Sequence, residues 1–171
     1  MTAEEPGGID EEKAHPRARQ LLPDAFFWDC TDELAPFGSD EGDTALREFR
    51  TWRRANPQRP VEECLLWTIE SVGEMAVADY DDALLAVALV RSQVQDPAFD
   101  DQQYVFTLDT SVIATAFGQL VDEGRIDASA KPYAQRALRR QVIWAGCQPG
   151  WKYAPEYIRR LSRMQQVLAA A

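Results

Sequence analysis

The residues with the most chemical capacity stand together near the start of the chain, in the stretch DAFFWDCTDELAPFGSDEGD from Asp24 to Asp43. Asp24, Asp29, Asp32, Glu33, Asp40, Glu41 and Asp43 cluster carboxylate oxygens of the kind that hard cations such as Ca²⁺, Mg²⁺ or Mn²⁺ prefer. Two carboxylates held at one reacting centre could also work as general acid and base. Gly42, followed six residues later by Glu48, echoes the turn glycine and bidentate glutamate of a calcium-binding loop. The echo fails at the first ligand position, which is Phe37, and Ser39 and Glu41 match the next two only in part. No spacing fixes a pair of these carboxylates on one centre. The same stretch carries Phe26, Phe27, Trp28 and Phe37. Aromatic anchors inside a charged rim are how a protein surface gains contact area and steers a partner.

Other chemistries lack their parts. The single histidine, His15, lies in the polar segment MTAEEPGGIDEEKAHPRARQ, so Ser-His-Asp and Cys-His mechanisms have almost no candidate base. Cys30, Cys64 and Cys147 are odd in number, far apart and without Cys-x-x-Cys spacing, and read as small core residues of a reducing compartment. No glycine-rich phosphate loop or dinucleotide fingerprint is present, and no cofactor is expected. A net charge of −10 and a pI near 4.6 disfavour nucleic acid and anionic membranes as partners.

The charge is unevenly placed along the chain. Up to Asp127 there are 27 acidic and 10 basic residues; beyond it stand one acidic residue, Glu156, and eight basic ones. The basic stripe is Lys131, Arg136, Arg139, Arg140, Lys152, Arg159, Arg160 and Arg163. Beside Trp151 and Tyr153 it has the ingredients of a single-strand nucleic-acid surface, but the overall charge favours pairing with the acidic segments of the same molecule.

The elements that must position these residues are helical. Residues 1–20 read as a flexible acidic and polar arm, disordered or loosely helical, and 21–171 as one domain, a size that buries a sufficient core without metal or disulfide. Leu46, Phe49 and Trp52 recur at spacings of three from Thr44 to a stop at Asn56-Pro57. A second helix opens at Pro60 and ends near Gly73, and a third is expected from an Asp79 cap to Asp96-Pro97. The run Ala83 to Val90 within it, the longest apolar stretch, is too short to span a membrane and reads as a buried core helix. Tyr104 to Leu108 could form a short strand but has no partner strand, so a docked loop is expected. Asp109 and Asp127 are expected to cap the next two helices, the first ending at Gly124 and the second at Gly146, with Pro132 allowing the second to start as late as Lys131. Pro155 opens the last. The fold class is all-α: a single compact domain of about six helices with an ordered acidic and aromatic loop. Trp28 and Phe37 are expected to clamp that loop on the helix of Phe49 and Trp52, with Asp40 to Asp43 capping its N-terminus.

Several runs carry a resemblance. Phe27-Trp28-Asp29, Asp32-Glu33, Ala35 through Gly42, Trp52 with Asn56-Pro57, and later Phe117-Gly118-Gln119, Glu123 through Asp127 and Arg139-Arg140-Gln141 resemble an uncharacterised bacterial family labelled YfeS-like. That family's label mentions a WGR domain, and no Trp-Gly-Arg occurs in this chain. The resemblance implies no reaction. The function expected from the residues is therefore a non-catalytic cytoplasmic module, regulatory or toxin-neutralising. Its acidic and aromatic surface, formed by Trp28, Asp29, Asp32, Glu33, Phe37, Asp40, Glu41 and Asp43, would bind a basic protein partner. The alternative expectation is a Ca²⁺-, Mg²⁺- or Mn²⁺-dependent hydrolase, or a metal-stabilised domain, built on the same carboxylates.

Overall fold

A computed structural model describes residues 4–171. Seven α-helices follow in chain order: α1 (Pro16–Leu21), α2 (Asp40–Ala55), α3 (Val61–Gly73), α4 (Val87–Gln95), α5 (Leu108–Glu123), α6 (Lys131–Cys147) and α7 (Ala154–Ala170). Among the described residues there is no strand. α5 is the axis. Every residue from Leu108 to Val121 is buried, which is the pattern of a helix surrounded on all sides by protein. α1, α2, α3 and α6 pack around it, while α4 and α7 lie against α6. A single hydrophobic core threads all of them. The segment Gln102–Glu123 is apolar and long enough to cross a membrane, but 83% of its apolar window is inside the protein.

Local signals explain the boundaries of the best-defined helices. Ser39 accepts a hydrogen bond from the Gly42 amide and so caps α2, whose first turn holds Asp40, Glu41 and Asp43 and whose last turn holds Arg53 and Arg54. This corrects the expectation that the aspartates themselves are the cap. α5 ends at Gly124, where φ is +75° and a side chain would be strained. The His15 ring lies against that glycine, and the His15 amide donates to the Val121 carbonyl at 2.8 Å.

Five further expectations are corrected. The first concerns the arm, whose first three residues lie outside the described residues. From Ala14 onward it is packed: Ala14 and Ala18 are buried, and His15 caps α1. Ahead of this, Arg54, Arg47 and Arg50 of α2 donate to the carbonyls of Glu4, Pro6, Gly7 and Gly8, so arginines along α2 strap the polar segment down. Second, the run Ala83 to Val90 is not a core helix. It divides between a 3₁₀ turn, Asp82–Leu85, and α4, with Val90 buried and Val87 48% exposed. Asp81, rather than Asp79, caps the 3₁₀ turn.

Third, Tyr104 to Leu108 forms neither strand nor loop, because Gln102–Thr107 is a π-helical turn that runs directly into α5. Fourth, Asp109 consequently lies inside a helix instead of capping one. Fifth, Asp127 caps a different helix from the one expected: its carboxylate accepts from the Val61 amide at 3.0 Å, at the start of α3. α6 begins at Lys131, the later start expected from Pro132.

Candidate functional site

The acidic and aromatic stretch separates into an inner and an outer layer. Trp28 is 9% and Phe37 1% exposed. Both rings meet Phe27 edge to face, at 4.9 and 5.3 Å, and Phe27 rests on Phe117 of α5. Trp28 Nε1 donates to the Leu22 carbonyl at 2.8 Å. These aromatics fasten the loop to α5 through Phe27, and the loop meets the helix of Phe49 and Trp52 at Gly42. Gly42 matters here for space, since the Pro36 carbonyl sits where a Cβ would be.

The carboxylates face outward, and several have work to do within the protein. Asp32 pairs with Arg160 at 2.7 Å and also receives the Leu34 amide; Asp24 pairs with Arg163 at 2.8 Å, and Asp43 with Arg47 at 2.9 Å. Asp29 accepts from the Thr31 amide and hydroxyl, and these bonds hold its carboxyl below the usual aspartate range. Asp29, Glu33, Asp40 and Glu41 have no ion-pair partner among the described residues. Of the predicted binding residues, then, Trp28 and Phe37 are inside, Asp32 and Asp43 are paired, and four carboxylates remain available. Among the described residues no three His, Cys, Asp or Glu side chains converge where a cation could sit.

The basic stripe is consumed largely within the fold. Arg136 pairs with Asp82 at 3.1 Å, and Arg160 bridges Asp32 and Glu156. Hydrogen bonds from Arg159 and Arg160 hold the Glu156 carboxyl down at about 2.

Arg140 joins a buried network that sequence reading missed. Asp109 is fully buried and receives four donors: Tyr80 Oη at 2.8 Å, Arg140 Nη2 at 2.7 Å and Nε at 2.8 Å, and Gln141 Nε2 at 2.9 Å. Tyr157 Oη then donates to Gln141 Oε1 at 2.8 Å. Burial first, then the Asp109 charge, pushes the Tyr80 phenol well above its ordinary value. The network also braces the π-helical turn, because Arg140 and Gln141 donate to the carbonyls of Tyr104 and Val105. No member is accessible to a substrate, so its role is to hold structure. The signal that could have found it was a charged residue, Asp109, at the head of the apolar helical run that starts at Val112.

Two of the surface hollows are each lined by a pair of tryptophans. One, about 520 Å³, is walled by Phe106, Trp144 and Trp151, with Glu33 and Gln148 at its edge. Trp144 is anchored through Nε1 to Asp101 at 2.8 Å. The other, about 500 Å³, lies along α2 and α3 and is lined by Trp52, Trp67, Thr51, Glu48, Arg47 and Glu5. Trp67 is 49% exposed, unusual for so large an apolar ring. Glu48 loses enough water in this groove for its carboxyl to be raised above the ordinary glutamate value.

These features define an acidic, all-helical protein with a buried ionic network and open aromatic grooves. The chain is similar to "Uncharacterized protein YfeS" of Escherichia coli (strain K12), at 27% identity over 138 residues. The match covers 81% of this chain and 54% of that protein, so the chain spans about half the length of the curated relative it matches. The YfeS-like resemblance read from the residues is borne out by it. No family description matches the chain, and no solved structure does.

Proposed function

We propose that this protein acts by binding, without catalysis, and that its ligand is a basic protein partner. What carries the reading is the disposition of charge. Four of the eight cations beyond Asp127, Arg136, Arg140, Arg160 and Arg163, are held in internal pairs with Asp82, Asp109, Asp32 and Asp24. The chain carries a net charge of −10, and Asp29, Glu33, Asp40 and Glu41 are outward carboxylates with no ion-pair partner among the described residues. Such a field steers cationic surfaces and accelerates their encounter, while the exposed aromatic grooves supply apolar contact.

The test is biolayer interferometry of the protein over immobilised lysine-rich and glutamate-rich peptides, at low and at physiological salt. Binding to the lysine-rich peptide alone, weakened by salt, is the expected result. Neutralising Asp29, Glu33, Asp40 and Glu41 to their amides should slow association and leave dissociation nearly unchanged. Equal capture on both peptides, or on neither, overturns the reading.

A further inference from the structure

We infer that the groove between α2 and α3 receives a lysine or arginine side chain of a partner protein, laid on the exposed ring of Trp67 with its charge beside Glu48 and Glu5. The inference rests on the basic-partner reading and locates its contact. The groove, at about 500 Å³, has the size of a site that swallows side chains. Its aromatic wall is half-exposed at Trp67, and an indole face is the best π surface for a cation. Arg53 already lies over the Trp52 ring at 5.1 Å, whereas among the described residues no cation lies over Trp67.

The charges in the groove point the same way. Among the described residues neither Glu5 nor Glu48 has an ion-pair partner. Arg47, the one cation on the wall, is engaged by Asp43 at 2.9 Å and by the Pro6 carbonyl at 2.8 Å. Glu48 thus lines the groove with no cation paired to it among the described residues. A guanidinium or ammonium placed there would supply the missing charge and cover the exposed ring in one step. An acidic or purely apolar segment would leave Glu48 uncompensated.

The experiment is calorimetric titration with an acetylated, amidated peptide of alternating Lys and Ala. Trp67→Ala should weaken binding by about tenfold and Glu48→Gln by a few fold. Thr51→Arg, which sets a fixed cation in the groove without touching the core, should abolish it. The quadruple amide variant of Asp29, Glu33, Asp40 and Glu41 should lose association rate but keep its sensitivity to Trp67→Ala. If the wild type binds the peptide and the groove variants bind equally well, the groove is excluded while the basic-partner reading stands. If the wild type ignores the peptide at low salt, both fall. Concentration-dependent dimerisation that Trp67→Ala abolishes would give the groove to a second copy of this chain and overturn the inference.

Discussion

Asp109 and Arg140 stand at 0% and 2% exposure, so neither can recover water if its partner is removed. Asp109→Ala or Arg140→Met should each lower the unfolding free energy by about 3–5 kcal/mol, the usual consequence of stranding one buried charge. Urea denaturation measures it, and a loss of under about 1 kcal/mol would mean that water reaches the pair. The tryptophans provide a contrast. Trp28→Ala, at a buried ring holding the Leu22 carbonyl, should cost on the order of 3 kcal/mol. Trp67→Ala, at a half-exposed ring, should stay within about 0.5 kcal/mol, which makes it usable as a binding variant.

Element boundaries depend on residues far away in sequence, and Asp127 shows the effect most clearly. Burial opposes its ionisation, but the Val61 amide, Gln119 and Arg125 prevail and hold the carboxyl below the usual aspartate range. A depressed carboxyl contributes stability above its unfolded-state value and loses it as pH falls through the lower folded value. Thermal melts on the acid side of about pH 4 should therefore fall more steeply for the wild type than for Asp127→Asn. Identical acid limbs would show that this carboxylate does not couple α3 to the loop before α6. Much of the helical framework was legible, because α2, α3, α5 and α7 carry three-and-four apolar spacing and stops such as Asn56-Pro57 and Gly124. The π-helical turn was not, since the Tyr-Val-Phe-Thr run from Tyr104 has the residue types of a strand. Asp109 resembled a cap because its partner Arg140 lies 31 residues on, beyond any local pattern. The loop's carboxylates and aromatics were correctly singled out as an ordered feature, but their sidedness depends on the docking of Phe27 on Phe117. The groove on α2 and α3 escaped notice for the same reason, as two helices must meet before Trp52 and Trp67 line one hollow.

At the scale of the molecule, charge that is lopsided along the chain becomes interlaced in space. The early acidic segments meet the late basic helices at Asp24–Arg163, Asp32–Arg160 and Asp82–Arg136. These contacts are partly exposed and individually weak. Added NaCl should therefore change the melting temperature little while it weakens capture of basic peptides strongly. Ca²⁺, Mg²⁺ and Mn²⁺ each provide a separate check. Melting in excess cation and in chelator should coincide, whereas a rise of several degrees would show a cation held by the native state.

The π-helical turn bears on how this chain tolerates insertions and deletions. An α-helix advances about 100° and 1.5 Å per residue, so losing one residue from Gln102–Thr107 would swing everything upstream of α5 by that angle. Asp101 would leave Trp144, and the carbonyls of Tyr104 and Val105 would turn from Arg140 and Gln141. Substitution at an outward position such as Gln102 has no such reach. In this segment the number of residues is a stricter requirement than their identity.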